Sequence, residues 1–473
     1  MARTEECILY RNFDNGEVLD TMTSLMNSYE AGEEGFENRK EEFFHMAGSL
    51  VEMAGMYGFS GNLWHTYLTQ LLVNHENAFS TASEIRGVVE GSINHLALHD
   101  FGIFKELYDF DLAVFDSAFG TDCADFLCNY VNTGCNSKVY NQRICDRICD
   151  MSKTLAEAST VEEFMADMVQ FYKDFGVGKL GLNKAFRIEH GKDGKPVITP
   201  ITRIAHVNLD DLVGYEIPKQ KLIENTEAFV RGRKANNCLL FGDAGTGKSS
   251  SIKGILNRYY DEGLRIIEVY KHQFQDLNDV IAQIKNRNYK FILYMDDLSF
   301  EEFEIEYKYL KAVIEGGLEK KPDNILIYAT SNRRHLVREK SGDKLEVADD
   351  EDLHSSDTVQ EKLSLVYRFG VRIYFGAPNK KEFQNIVTTL AERYGVTMPA
   401  EELLMKANAW ELSHGGLTGR TAQQFIDHVL GTSEEQSKNT RDYLKFIPVQ
   451  PNSGEISRKV GRADCGNDFL NRL

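Results

Sequence analysis

Between an apolar run, CLLF, and a run of helical character, SSSIKGIL, the chain reads GDAGTGKSS. This places Gly242 first, then Asp243, Ala244, Gly245 and Thr246, then Gly247, Lys248, Ser249 and Ser250. The spacing GxxxxGK(S/T) between a strand and a helix is one that can cradle a polyphosphate. Glycines let backbone N–H groups turn inward, and the amino terminus of the following helix faces the anion with its partial positive charge. In such a loop Lys248 is expected to reach the β and γ phosphates, and the Ser249 hydroxyl to complete magnesium coordination.

Two further strand ends carry groups suited to the same chemistry. The run KFILYMDD closes on Asp296 and Asp297. Asp296 is expected to hold magnesium, partly through water, and Asp297 to orient or deprotonate an attacking water. Asp297 could instead cap the helix that follows, and Glu301 and Glu302 stand near enough in sequence to take its place. The run NILIYATSN ends in Thr330, Ser331 and Asn332. An amide there can hold the attacking water or report on the γ-phosphate, although asparagine at a strand end is also a common turn former.

For these groups to meet, the strands must end at one edge of a sheet. From about residue 206 apolar runs alternate with helical ones: NNCLLFG, SSIKGILNRYYDEG, LRIIEVY, DLNDVIAQIKNR, YKFILYMDD, EIEYKYLKAVIEGGLE, NILIYATSN and VRIYFGAP. That alternation predicts parallel strands joined by crossover helices, a three-layer α/β domain over residues 206–378. Strands as continuously apolar as FILYM fit a sheet covered on both faces. After Pro378 the strands stop, and helical patterns over 379–432 predict a small helical lid. Residues 1–180 read as helix after helix, with apolar positions three and four apart, and predict an all-α amino-terminal domain. Residues 181–205, with prolines, glycines and mixed charge, read as a linker or a short β-hairpin ahead of a new domain near residue 200. The polar stretch 433–473 reads as a carboxy-terminal extension.

Composition narrows the function class. A chain of 473 residues suits two or three domains. The formal net charge of −18 is uneven: residues 1–180 hold 29 acidic against 12 basic residues, leaving 43 against 42 beyond. An acidic front half is a poor surface for a phosphate backbone. The amino terminus MARTEECILYRNF signals neither secretion nor import, and no run approaches the roughly 18 apolar residues of a membrane span, so a cytoplasmic location is expected. Five of the eight cysteines lie at Cys123, Cys128, Cys135, Cys145 and Cys149. Their uneven spacing and the lack of a histidine among them favour buried or helix-face thiols over a metal site.

Taken with their order, the stretches LDDLVGYEIPKQKLIENTEAF, ANNCLLFGDAGTGKSS, MDDLSFE, ILIYATSNRRHLV, EKLSLVYRFG and GRTAQQFI resemble an AAA+ ATPase module. They resemble more closely the bacterial predicted AAA+ ATPases that carry only a domain-of-unknown-function label. The resemblance implies ATP and Mg2+ as ligands and ATP hydrolysis as the reaction. It implies that Val213 and Gly214 line the adenine pocket and that Asn332 is the sensor 1 residue. Arg420 matches the sensor 2 arginine, and Arg368 matches the finger that a neighbouring subunit supplies, with Arg372 as competitor. An arginine suits both positions because its planar fork stays charged beside phosphate oxygens. A finger acting between subunits implies a homo-oligomer. Two departures matter: Asp297 stands where many members have glutamate, and YKHQFQDLND lacks the aromatic loop of polypeptide-threading relatives.

Three functions follow as expectations. The first is an oligomeric ATPase that remodels or loads a partner held through the amino-terminal domain. The second is a nucleotide-gated protein-binding switch with slow hydrolysis. The third, weaker, is a DNA-associated loader using Arg333, Arg334 and Arg338.

Overall fold

The computed structural model describes residues 4–432 apart from 89, 133–136, 138, 141, 203, 205–206, 301–305, 316–321 and 333–364. Glu301, Glu302, Arg333, Arg334, Arg338, Cys135 and the extension 433–473 therefore lie outside the described residues.

The amino-terminal domain is all-α, as its periodicity predicts. Its helices are α1 (Glu17–Glu30), α2 (Lys40–Tyr57), α3 (Leu63–Asn74), α4 (Ala78–Arg86), α5 (Ser92–Asp109), α6 (Ala113–Phe119), α7 (Cys123–Cys128), α8 (Gln142–Glu157), α9 (Val161–Phe175) and α10 (Gly178–Leu182). The sequence shows the mechanism in α8, where Ile144, Cys145, Ile148, Met151 and Leu155 recur at helical spacing and are the buried face. The helix α3 is buried nearly all round and begins at Asn62, whose side chain accepts from the His65 N–H. The chain start is pinned to α5 by the fully buried Asp100, whose carboxylate accepts the backbone N–H groups of Ile8, Leu9 and Tyr10 at 2.6–3.0 Å.

The second body is built on one seven-stranded sheet in the order β2-β1-β4-β5-β6-β3-β7. Its strands are β1 (Ala185–His190), β2 (Pro196–Pro200), β3 (Cys238–Gly242), β4 (Leu264–Glu268), β5 (Lys290–Met295), β6 (Ile325–Ser331) and β7 (Val371–Phe375). The helices α11 (Glu216–Val230), α12 (Lys248–Tyr259), α13 (Leu277–Ile284) and α14 (Glu306–Glu315) accompany it. Five strands are those expected from the apolar runs, all parallel to their neighbours. Two apolar cores cover the two faces, which explains why β5 and β6 are apolar along their whole length.

Of the two readings of residues 181–205, a linker or a short β-hairpin, residues 185–200 take the second: β1 and β2 form an antiparallel hairpin, and β1 also pairs in parallel with β4. The sheet thus begins before the expected boundary. The short strands, with prolines at both ends of β2, suit a sheet edge, where a proline's missing N–H costs no ladder bond.

Three helices, α15 (Lys380–Arg393), α16 (Ala400–Ser413) and α17 (Gly419–Thr432), enclose a separate apolar core and follow the sheet as a lid. The whole is an α/β fold on a mostly parallel seven-stranded sheet, preceded in the chain by an all-α domain and followed by a helical lid. Among the described residues no helix is long and apolar enough to cross a membrane.

Candidate functional site

The loop between β3 and α12 depends on its glycines. Gly242 has φ 137°, and a Cβ there would collide with the Phe375 carbonyl of β7. Only glycine permits both the conformation and the approach. Gly247, at φ 90°, lies where a Cβ would press on Leu212. The loop is also tied to its surroundings. The Asp243 carboxylate accepts the Ala377 N–H at 2.7 Å, Thr246 Oγ1 donates to the Asp243 carbonyl at 2.8 Å, and the Arg420 N–H donates to the Gly245 carbonyl at 3.2 Å.

The charged side chains meet in front of this loop. Lys248 Nζ donates to the Gly242 and Asp243 carbonyls at 3.0 and 2.6 Å and to Asn332 Oδ1 at 2.9 Å. Asn332 Nδ2 donates in turn to Asp297 Oδ1 at 2.8 Å. Asp297 adopts φ 50°, uncommon for a residue with a side chain, and its N–H donates to Thr330 Oγ1 at 2.9 Å. Ser249 Oγ donates to Asp296 Oδ1 at 2.7 Å. The same oxygen accepts from Tyr294 Oη at 2.8 Å and Thr330 Oγ1 at 2.5 Å, and more weakly from the Asp297 N–H at 3.2 Å.

The electrostatics follow from these contacts. Burial pushes the Lys248 ammonium down, against Asp243, Asp297 and Asp296, which favour its charge. Burial pushes the Asp296 carboxyl up, but the hydrogen bonds from Thr330, Ser249 and Tyr294 outweigh it and hold the group below the usual carboxylate range. A serine hydroxyl and a carboxylate 2.7 Å apart are hard oxygen donors, the kind magnesium takes, so the donor set fits that ion.

These groups line a cleft of about 590 Å³ between the carboxyl ends of the strands and the lid. Ala244, Gly245, Thr246, Gly247, Lys248, Ser249 and Ser250 form one wall, with Asp296, Asp297 and Asn332 beside them. Arg420, at the start of α17, faces the same space, and Val213 lines it while packing on the lid core. Gly214, at φ 79°, and Gly242 and Asp243 shape the walls without lining the cleft. A groove of about 1090 Å³ in the helical domain is larger. Its lining lacks a comparable convergence of lysine, carboxylates and glycine loop, so the smaller cleft is the candidate site.

Arg368 does not reach the cleft of its own chain. It pairs with Glu315 at the end of α14. Arg372 lies exposed on the edge strand β7, over the Tyr367 ring.

Sequence reasoning missed several lining or bonding residues. Tyr294 stands two residues before Asp296, and the period of two in a strand puts both on one face, so its signal was present. Leu212, Ile386 and Leu390 give the cleft an apolar end, with Gln423 and Gln424 at its rim. Ile386 and Leu390 are four apart on α15, but nothing in that pattern says which side of the lid turns inward.

Comparison with known proteins gives a family and distant structural neighbours. The model of a protein family described as a protein of unknown function (DUF815) matches residues 182–433, more than half of the chain. It spans the sheet from just before β1 to the end of the lid. No curated protein matches. Among solved structures, a mutant of Thermotoga maritima RuvB is 19% identical, with a TM-score of 0.32, over 51% of this chain and 67% of that one. The Thermotoga maritima RuvB Holliday junction branch migration motor is 16% identical, with a TM-score of 0.28, over 50% and 78%.

Proposed function

Because the chain belongs to the DUF815 family of proteins of unknown function and sets two acids, an amide and an arginine around a glycine loop, we propose that it is a magnesium-dependent ATPase. The reaction is ATP to ADP and phosphate by attack of water on the γ-phosphorus. The backbone amides of the loop from Gly242 to Ser250 and the Lys248 ammonium bind the phosphates, and the apolar end beside Val213 takes the base. Magnesium, held by Ser249 and Asp296, would neutralise charge on the β and γ oxygens. Asp297 accepts the proton of the attacking water as the bond between the γ-phosphorus and the bridging oxygen breaks toward ADP. Asn332 orients that water, and Arg420 meets the γ-phosphate from the same chain. Arg368 completes the site of a neighbouring subunit in a homo-oligomer. The cycle remodels or loads a macromolecular partner held through the helical domain, in the cytoplasm.

The observation that carries this reading is the chain of contacts Lys248–Asn332–Asp297 beside Ser249–Asp296, all facing one cleft. Asp297→Asn should lower turnover by about 10²–10⁴-fold with ATP binding kept, as expected of a lost general base. Lys248→Ala should lose binding itself. Turnover in Asp297→Asn equal to wild type would sink the assignment.

A second reading, a nucleotide-gated protein-binding switch, draws on the same contacts. Asn332 occupies Lys248 and Asp297 together, so a γ-phosphate that takes Lys248 must also change what Asp297 faces. Slow turnover that no partner stimulates, with partner affinity differing between ATP and ADP, would favour it. The weaker reading, a DNA-associated loader, finds no support in the acidic front half.

A further inference from the structure

We infer that Tyr294 and Thr330 are positioning residues that fix the Asp296 carboxylate for the cation, an inference that rests on the ATPase reading. Apart from Tyr294, the strand from Phe291 to Met295 is apolar throughout, and it lies between two apolar cores. Tyr294 is 5% exposed, with its ring in the core face that holds Leu240 and Tyr328. Phenylalanine would pack there as well. The hydroxyl leaves the core to donate to Asp296 Oδ1 at 2.8 Å. A buried phenol needs such a partner, and the carboxylate gains a donor whose position the core fixes.

Thr330 adds a second link. It is 1% exposed, and its Oγ1 donates to Asp296 Oδ1 at 2.5 Å while accepting the Asp297 N–H at 2.9 Å. One hydroxyl of β6 thus bonds both the Asp296 carboxylate and the Asp297 backbone, just past the end of β5. With Ser249 the three hydroxyls converge on Oδ1 and leave Oδ2 as the oxygen they do not engage. Rotating the carboxylate would break all three bonds. A ligand so held has already lost the freedom that metal binding would otherwise cost.

The test compares nucleotide affinity with and without the cation, measured with mant-ATP in excess Mg2+ and in EDTA. The quantity is the ratio of the two dissociation constants, which reads the metal site without requiring turnover. Tyr294→Phe and Thr330→Val should each reduce this ratio by about tenfold or more, the usual effect of removing an outer partner of a metal ligand. Affinity in EDTA should stay within about twofold in the same variants, since neither side chain binds phosphate in this scheme. Thr330→Ser, which keeps the hydroxyl, should restore the wild-type ratio. Tyr328→Phe serves as a control, because this buried tyrosine bonds to Thr226 and Asn225 away from the site, and its ratio should not move. An unchanged ratio in both Tyr294→Phe and Thr330→Val, with wild type responding to Mg2+, overturns the inference and leaves the ATPase reading standing. A wild type that binds mant-ATP in neither condition overturns both.

Discussion

Asp296 and Asp297 are neighbours in the chain with opposite surroundings. Asp296 is surrounded by hydroxyl donors, whereas Asp297 turns through a left-handed backbone to meet the Asn332 amide. That division matches a cation ligand that must stay ionised and a second acid that must be free to change partner. The cysteines show the reverse case, groups kept from reacting. Burial pushes the Cys145 thiol up to about 11, and its Sγ donates to the Tyr57 carbonyl. Burial likewise pushes Cys7 up to about 12. A thiol with its pKa raised on folding gives stability that is present below the unfolded value of roughly 8.5 and is lost as pH rises beyond it. Iodoacetamide at pH 8 should therefore alkylate Cys145 in the native protein at least about a hundredfold more slowly than in urea, read by peptide mass spectrometry. Equal rates would show that the thiol is not buried in solution.

Among the elements, the junction between the helical domain and the sheet is the most tightly specified. Arg287, just beyond α13, sends its guanidinium to Glu76 at 2.8 Å, to Glu84 at 2.9 Å and to the Val177 carbonyl at 3.1 Å. Its side chain is 9% exposed and that of Glu84 is 1%. Burial pushes the Glu84 carboxyl up although Arg287 pulls it down, while Glu84 and Glu76 raise Arg287. The direct contacts identify a charged pair in which desolvation offsets much of the attraction. Beside it, Arg265 is stacked between the rings of Tyr260 and Tyr289 and donates to the carbonyls of Leu180 and Gly181. Removing one member leaves a buried charge behind. Arg287→Ala should lower stability by about 3–5 kcal/mol in urea unfolding, and the two domains should unfold in separate steps. A loss below about 1 kcal/mol would place the pair at a solvated surface instead.

For the whole molecule, the open question is whether the site is complete in one chain. Within a chain Arg368 is held by Glu315, and among the described residues Arg420 is the arginine that lines the cleft. Light scattering in ADP, in ATP and with Asp297→Asn in ATP should show assembly only when ATP is retained. Arg368→Ala should then lower turnover by about 10³-fold with binding intact. A monomer in every state would remove the finger between subunits and favour the nucleotide-gated switch.

The glycine loop, the acids at the end of β5 and the order of strands and helices were legible from sequence because each is local. A loop that binds phosphate needs particular residues at fixed spacing, and a strand covered on both faces needs continuous apolar residues. The helical domain was equally legible, since α8 and α9 carry their apolar stripe in one stretch of chain. What depends on partners distant in sequence was not. That the hairpin 185–200 joins the sheet depends on β4, and Tyr294 reads as one more apolar strand residue until its hydroxyl meets Asp296. Which face of α15 closes over the cleft, and that Asn332 links Lys248 to Asp297, were decided by packing, because side chains separated by many residues meet only once the sheet and lid have assembled.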